Sequence, residues 1–504
     1  MVFASHSFLL FLAIVLAAYW FVGRRDESLG KPLLILASFV FYGYWIPAYL
    51  ILLVASVLFN HAIVRSILHG RSTAGGRRAL TVFGIALNLA LIGYYKYAAF
   101  LVESLNWTME AQFTVPDIVL PIGISFFTFQ QISLLVDTYK GRVERLPFWD
   151  HVFFVSFFPQ LIAGPIVRQH EMLPQLSARR SWRLRADYLA IGIALFSFGL
   201  FKKAVLIDPF VPNIDLIYVA AESGAAVGFI DAWVASIGYG FQIYFDFSAY
   251  SDMAIGLGFM FGMRLPVNFF SPYKSESIRV FWRRWHITLS RFLRDYLFIP
   301  LGGSRHGLVS TFAVLMLTMG LAGLWHGAGW TFVVWGLLHG LYLSTNHLWR
   351  AFVSKWLPGL RNRIRRAPVL AWAARLSSVG ITFLAVSFAW VFFRSPDIGS
   401  AFRLVEAMFG FAGWMEVVEL TNGIVPLFPL YLLIVWALPN TMELFQATQA
   451  ALNVEDYRDD TVSPPAARRL SFALSGRWAA TTAVVFIFAW FALSNLSPFI
   501  YFQF

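Results

Sequence analysis

The feature that most constrains this 504-residue chain is a series of long apolar segments with almost no charge. Twelve such segments follow one another along the sequence: 7–23, 32–45, 47–64, 79–101, 118–137, 187–207, 229–245, 307–324, 327–347, 370–393, 424–438 and 478–495. A straight helix needs about 20 apolar residues to span the hydrocarbon core of a bilayer. Several segments are shorter, so we expect a membrane domain that is locally thin.

The fold class predicted is an all-α polytopic membrane protein with about 11–12 transmembrane helices. The shorter apolar pieces 150–163 and 247–261 are typical of re-entrant or interfacial helices. The chain is 59% hydrophobic and only 13% charged, whereas soluble domains carry roughly 25% charged residues. Its net charge of +12 could indicate a nucleic-acid binder, but basic cytoplasmic loops explain the excess more simply. We therefore expect membrane lipid as a partner and no nucleic acid.

Several classes of chemistry are excluded by absent residues and broken motifs. The sequence has no cysteine, which rules out disulfides, zinc-thiolate sites, iron–sulfur clusters and cysteine nucleophiles. His170 and Glu171 begin an H-E-x-x-H motif, but Pro174 takes the place of the second histidine. Neither a P-loop nor a G-x-S-x-G motif is present. We expect no metal and no bound cofactor.

The loops between the segments alternate in charge. Basic residues lie after the first, third and fifth segments and before the sixth: Arg24, Arg25, Lys31, Arg65, Arg71, Arg77, Arg78, Lys140, Arg142, Arg145, Arg179, Arg180, Arg183 and Arg185. Acidic residues without basic ones follow the fourth and sixth: Glu103, Glu110, Asp117, Asp208, Asp215 and Glu222. Because cytoplasmic loops carry the Lys and Arg excess, this alternation predicts that both termini face outward. It also predicts that the basic run 274–294 faces the cytoplasm.

The run 281–295 predicts one amphipathic helix at the inner face. Trp282, His286 and Leu289 share one side of this helix, and Arg291 and Asp295 are spaced to pair. One interpretation is a helix in the membrane interface whose arginines contact lipid phosphates. The other is a mouth that attracts an anionic thioester carrier. The donor-binding candidates are Arg283, Arg284, Arg291, Trp282 and Trp325.

His326 is an ionisable residue inside a nearly uncharged stretch. Ionisable groups at membrane depth are costly and indicate function by default, and a neutral imidazole is a good general base near pH 7. Small residues and tryptophans flank it, and no charged side chain lies nearby in sequence. The alternative is a buried histidine bonded to a carbonyl.

Asp246 and Asp252 lie in an aromatic segment. They are candidates for lining a tunnel or orienting a histidine, but capping a helix or pairing with an interfacial arginine is equally compatible with their positions. We favour the structural role.

Several motifs together resemble the membrane-bound O-acyltransferase family, in particular its branch for bacterial polysaccharide O-acetylation of the alginate type. They are YFDFSAYSDMAIG at 244–256, LPVNF at 265–269, FWRRWHITLS at 281–290, DYLFIPLGG at 295–303, GLWHG at 323–327, PIGISFFTFQ at 121–130 and FPQLIAGPI at 158–166. The resemblance covers most of the chain, and the motif set is specific.

The resemblance implies a funnel with a thin centre and a tunnel through it, in the bacterial cytoplasmic (inner) membrane. A cytoplasmic thioester, with acetyl-CoA as the expected donor, would bring its acyl carbon to His326. His286 would be the second histidine lining the tunnel, and Asn268 is a further tunnel candidate. The acyl group would leave on the outer face to a separate SGNH-type acetyltransferase protein that modifies the exopolysaccharide.

The predicted domain organisation is a core over 1–475 and a C-terminal transmembrane helix with an outward-facing tail over 476–504. The tail ends in FIYFQF, and we expect so apolar a segment to dock into the funnel. It resembles the tail of small accessory peptides in D-alanyl transfer systems, which implies that Tyr501 is an acyl relay. The alternative is an anchor with an incidental tyrosine.

The leading hypothesis is therefore a membrane O-acetyltransferase that acts on an exported polysaccharide such as alginate. Within the same family, peptidoglycan, cellulose or teichoic acid are alternative polymers. Alternatives from another class are a transporter of an anionic lipid-linked sugar and an assembly subunit of an export complex. Transporters commonly contain inverted repeats, and we find none in this sequence.

Overall fold

The computed structural model describes residues 1–69, 73–178, 182–413, 425–457, 470–495 and 497–500, and these residues are mainly helical. The helices of the first half are α1 (His6–Arg25), α2 (Gly30–Gly43), α3 (Pro47–His69), α4 (Ala74–Ile92), α5 (Ala98–Met109), α6 (Ile124–Tyr139), α7 (Phe148–Ser156), α8 (Phe158–Leu161), α9 (Gln169–Ala178), α10 (Ala186–Phe201), α11 (Val211–Ser223) and α12 (Phe229–Met260). Those of the second half are α13 (Ile278–Arg284), α14 (Ile287–Leu293), α15 (Gly307–His326), α16 (Trp330–Trp356), α17 (Pro358–Arg366), α18 (Pro368–Arg394), α19 (Ile398–Met408), α20 (Phe428–Ala437), α21 (Thr441–Leu444) and α22 (Gly476–Ala492).

Short elements connect the helices. Stretches of π-helix cover Gly93–Tyr97, Lys202–Ile207 and Arg294–Phe298. Strand β1 (Leu265–Pro266) pairs in parallel with β2 (Ala451–Leu452). This pairing fixes the segment after α12 against the segment before residue 457.

Six helical runs in the described part of the chain are long and apolar enough to cross a membrane. They are His6–Arg25, Pro47–His69, Ala74–Met109, Ala186–Ser223, Gly307–His326 and Pro368–Arg394. Two shorter apolar helical runs are Val425–Ala437 and Gly476–Ala492. The predicted class, an all-α polytopic membrane protein, is confirmed. The count of 11–12 spans stays a prediction, as does the division of the chain at residue 475.

Helix α12 is the centre of the packing. Almost all its residues are buried, and it packs most extensively on α10. The two helices approach at glycines: a Cβ added at Gly192 would lie 2.6 Å from the carbonyl of Gly256. The sequence predicted a span over 229–245 and a separate re-entrant piece over 247–261, which is wrong. One continuous helix results because the carboxylates of Asp246 and Asp252 find lysine partners in the interior.

The predicted helix over 281–295 is also wrong, since the chain breaks between α13 and α14. At the break His286 adopts a left-handed backbone conformation with φ of 40°. The segment after β1 explains the break: the N–H of Ile287 donates to the carbonyl of Asn268, and the N–H of Phe270 donates to the carbonyl of Arg284. Tertiary hydrogen bonds thus replace those of a continuous helix.

Candidate active site

Two histidines that are far apart in sequence meet in the interior. His286 lies at the break between α13 and α14, and His326 is the last residue of α15. Their ring centroids are 6.3 Å apart, and both side chains are buried. The indole of Trp325 contacts both rings, with centroid distances of 6.0 Å to His286 and 4.9 Å to His326.

The orientation of His286 is set by Asn268. The Oδ1 atom of Asn268 lies 3.2 Å from Nδ1 of His286 and also accepts a hydrogen bond from the Thr288 hydroxyl at 2.9 Å. The amide of Asn268 in turn donates to Ser251 on α12 at 3.1 Å. Asn268, predicted as a tunnel residue, is therefore the residue that fixes the plane of the His286 ring.

His326 is held in an aromatic enclosure. The ring centroids of Trp335 and Phe393 each lie 5.1 Å from the ring centroid of His326. The enclosure depends on a close crossing of α15 and α16, because a Cβ at Gly323 would lie 2.1 Å from the carbonyl of Phe332. The glycine at position 323, one of the small residues near His326, thus allows close helix packing.

A charged side chain does lie beside His326, contrary to expectation. The ammonium of Lys96 donates to the carbonyls of Trp325 at 2.6 Å and His326 at 2.9 Å. The hydroxyl of Tyr97 donates to the carbonyl of Leu324 at 2.9 Å. The sequence window around His326 could not reveal these partners, which come from a segment about 230 positions away.

A small cavity of about 130 Å³ opens beside His326. Its lining includes His326, Trp325, Lys96, Trp45, Ser125 and Gly123. Trp45 lies between α2 and α3 and Gly123 directly before α6, at ends of apolar segments that the charge alternation predicts to face the outer side.

A larger cavity of about 520 Å³ lies on the basic side of the site. Its lining includes Arg279, Arg283, Arg291, Arg294, Trp282 and Tyr457. Trp282 connects it to the enclosure, because its indole contacts Trp335 with a centroid distance of 5.9 Å. The Trp282 N–H also donates to Nδ1 of His339 at 3.3 Å. A series of aromatic contacts, from Trp282 through Trp335, thus connects the wall of the basic cavity with His326.

The arginines predicted to bind the donor, within the run 281–295, differ in whether they line the basic cavity. Arg283 and Arg291 line the basic cavity together with Trp282, whereas Trp325 lies at the histidine pair. That any of these residues binds a donor stays a prediction. Arg284 is buried, with 5% of its surface exposed, and is not among the residues that line this cavity. The break at His286 changes the direction of the chain immediately after Arg284.

The predicted pair of Arg291 with Asp295 is wrong. Arg291 lies 3.1 Å from Asp456, while Asp295 pairs with Arg168 at 2.7 Å and Arg294 at 2.6 Å. The π-helical turn that begins at Arg294 changes the helical spacing and rotates Asp295 away. Burial raises the pKa of Asp295, but the hydrogen bonds from Arg294 and Arg168 outweigh it and leave the pKa below its usual value.

Asp246 and Asp252 line neither of these two cavities. Asp252 pairs with Lys202 at 2.5 Å and Asp246 with Lys203 at 3.0 Å. Lys203 also pairs with Asp208 at 2.8 Å. The partners of these two carboxylates are thus lysines of the π-helical turn after α10 and not the interfacial arginine that one alternative named.

The start of the apolar tail docks against α12. The N–H of Ile500 donates to Asp246 at 2.7 Å, and the hydroxyl of Ser497 bonds with Asp208 at 2.5 Å. The ring of Phe499 stacks on Tyr250 at 4.6 Å and lies 6.0 Å from Phe247. Phe247 is the ring that packs on His286 at 4.8 Å. The tail thus reaches within one aromatic ring of the histidine pair, and Tyr501 itself lies outside the described residues.

Comparisons with known proteins give a consistent result. The model of the membrane-bound O-acyltransferase family matches residues 93–390, which include Lys96, His286 and His326. A peptidoglycan O-acetyltransferase of Helicobacter pylori is 40% identical, with 79% of this chain and 76% of that protein covered. A probable alginate O-acetylase, AlgI, of Pseudomonas aeruginosa is 41% identical, with 82% and 76% covered. A teichoic acid D-alanyltransferase of Bacillus subtilis is 28% identical, with 54% and 68% covered.

Proposed function

Because the chain belongs to the membrane-bound O-acyltransferase family, we propose that it passes acetyl groups across the membrane for O-acetylation of an exported polysaccharide. The protein is an O-acyltransferase that spans the membrane several times. The observation that carries the proposal is the buried pair His286 and His326: His326 lines the small cavity, and Ile287, next to His286, lines the basic cavity. Such a pair lets donor and acceptor approach the same base from two sides.

The donor is acetyl-CoA, which enters the basic cavity from the cytoplasm. Four arginines around this cavity can bind its phosphates, since guanidinium groups make strong charge-assisted hydrogen bonds to phosphate. The thioester end then extends along Trp282 and Trp335 toward His326. The cavity volume of about 520 Å³ lies in the usual range for ligand sites.

The chemical step is acyl transfer with His326 as general base. An acceptor hydroxyl oxygen attacks the thioester carbonyl carbon while Nε2 of His326 takes the hydroxyl proton. The carbon–sulfur bond then breaks, and the proton passes from the imidazolium to the leaving thiolate, so that an ester and free CoA result. His286, oriented by Asn268, positions the thioester or polarises its carbonyl. General-base assistance of this kind contributes about 10²–10⁴-fold to the rate.

The first acceptor hydroxyl in this proposal is that of Tyr501. Support comes from the docking of residues 497–500 beside Phe247 and thus beside His286. A phenol with a pKa near 10 forms a reactive ester, which preserves the transfer potential of the thioester. The serine of an SGNH-type partner at the outer face then collects the acetyl group and delivers it to the polymer. The alternative role for the tail is an anchor without covalent chemistry.

The setting is the bacterial inner membrane, with both termini on the outer side. Alginate is the proposed polymer because of the relatives named as alginate O-acetylases. Peptidoglycan is the second candidate, favoured by the similarly identical Helicobacter relative. A transporter or a purely structural subunit is disfavoured by family membership.

Polymer acetylation in cells tests this function. A deletion strain of the source organism receives the wild-type protein, His326→Ala or His347→Ala, and the ester-linked acetate of each isolated polymer is measured. His347 is an exposed histidine on α16 and serves as the matched control. We expect wild type and His347→Ala to restore acetate and His326→Ala to leave the deletion level. Unchanged acetate on every polymer of the deletion strain would contradict the function.

A further inference from the structure

Lys96 is an ionisable residue inside the helical run Ala74–Met109, which is apolar enough to cross a membrane. An ammonium at such a depth is costly and is usually kept for a function. Among the described residues, no carboxylate lies within ion-pair distance of Lys96; its hydrogen bonds go to the carbonyls of Trp325 and His326. Its position therefore needs an explanation other than an ordinary salt bridge.

The partner of the Lys96 charge is the end of a helix. The last carbonyls of an α-helix lack partners within it, and the helix dipole places about half a negative charge there. Helix α15 ends at His326, and Gly327 continues in extended conformation. The Nζ atom of Lys96 thus donates to the two final carbonyls of α15, where a positive charge interacts favourably with the negative end of the helix dipole.

A π-helical turn directs the Lys96 side chain toward the end of α15. Lys96 and Tyr97 lie on the π-helical turn Gly93–Tyr97, between α4 and α5. Tyr97 contacts the preceding carbonyl, that of Leu324, so one short turn caps three successive carbonyls. Turns of this kind are frequent at functional sites. Lys96 also lines the small cavity beside His326, which places its charge where the acyl acceptor approaches.

We propose that Lys96 is a positioning residue for acyl transfer, which fixes the backbone of His326 by capping α15 with a positive charge. The proposal rests on the proposed function, because it assumes that His326 is the base. A misplacement of about 1 Å at a reacting group can cost about 100-fold in rate. Loss of the cap should therefore lower kcat without weakening donor binding in the separate basic cavity.

The test measures free CoA released from acetyl-CoA by detergent-purified full-length protein, with kcat and KM for each variant. Lys96→Met keeps the length and removes the charge, and we expect kcat to fall by about 100-fold with KM within about threefold of wild type. Lys96→Arg, which restores a cation, should recover at least about a tenth of the wild-type kcat. Tyr97→Phe removes only a neutral hydrogen bond to the same helix end, so its loss should be smaller than that of Lys96→Met. Tyr94→Phe, an exposed change on the same turn, is the control with unchanged kinetics.

Two results would overturn the proposal: a Lys96→Met protein that keeps more than about a third of the wild-type kcat, or one whose loss lies in KM alone. If Lys96→Met does not fold in a thermal unfolding assay, Lys96→Gln and Lys96→Arg decide the question. Gln keeps the donor and loses the charge, so Arg should exceed Gln in kcat by about tenfold; equal values would reject the role of the charge. Absent CoA release by wild type, or full release by His326→Ala, would instead reject the proposed function.

Discussion

The ring of His286 lies 6.3 Å from the ring of His326, although the two residues are 40 positions apart in the sequence. Each ring is placed by the end of a helix: His286 by the break before α14, and His326 by the last turn of α15. Helix ends fix side chains without the mobility of long loops. Of the two histidines, only His326 lines the small cavity, and the proposed roles of the two are therefore unequal.

The unequal roles predict unequal losses. His286→Ala should lower kcat for CoA release by about 10- to 100-fold, less than His326→Ala, because it removes positioning and not the base. Asn268→Ala should produce a similar loss, since Asn268 holds the His286 ring. Steady-state kinetics at saturating acetyl-CoA checks both. A His286→Ala enzyme less active than His326→Ala would reverse the assignment.

The basic cavity predicts a salt-dependent KM. Replacement of Arg283 and Arg291 with Gln should raise KM for acetyl-CoA more than it lowers kcat, and the difference should shrink at high salt because ions screen exposed charges over about 8 Å. Arg284→Gln is the matched control: Arg284 is buried and does not line the cavity, so its replacement should lower stability and leave KM unchanged. If KM in the double variant is unchanged and does not depend on salt, these arginines do not bind the donor, and contact with lipid phosphates explains them instead.

If the tail is an acyl relay, polymer acetylation depends on the Tyr501 hydroxyl more than on the packing of the residues around it. Tyr501→Phe should abolish polymer acetylation and leave thermal stability unchanged. Ser497→Ala removes hydrogen bonds to Lys203 and Asp208 and should only weaken docking, by about 1 kcal/mol. Mass spectrometry of the C-terminal peptide, after exposure to acetyl-CoA without the partner, should find acetyl-tyrosine in wild type. Normal acetylation by Tyr501→Phe would leave the tail as an anchor.

The crossing of α15 and α16 predicts a strong effect of one methyl group. Gly323→Ala should lower the free energy of unfolding by about 1–3 kcal/mol and displace His326, because the added Cβ meets the carbonyl of Phe332. Gly380→Ala on α18 is the control, since its Cβ meets nothing within 4 Å. Denaturation in detergent with CoA release on the same samples measures both effects. If the two variants have the same free energy of unfolding, α15 can shift to accept the added Cβ without loss of stability.

The sequence predicts well those features that depend on local composition. Apolar segments predicted the membrane class, which the described helices confirm. The role of His326, a histidine in an uncharged stretch, and the inner-face position of Arg283 and Arg291 rest on local signals of the same kind and stay predictions. Each of these signals lies within one segment, and the environment of the bilayer enforces it.

Apart from the Arg291–Asp295 pair, which a local π-helical turn disrupts, the wrong or missing predictions concern partners supplied by distant segments. The break at His286 follows from hydrogen bonds to Asn268 and Phe270, which no helical periodicity contains. Lys96 was visible as a lysine in an apolar segment, but its target lies on α15. Asp246 was visible as a carboxylate in an aromatic segment, but its lysine comes from the π-helical turn after α10 and its N–H donor from the tail.

Whether His326 is the base is decided by the initial rate of CoA release by His326→Ala, measured beside wild type and His347→Ala at saturating acetyl-CoA. If His326 is the base, its variant should fold normally and lose at least about 100-fold in rate, while His347→Ala matches wild type. A folded His326→Ala protein that releases CoA at a tenth of the wild-type rate or faster would contradict the account.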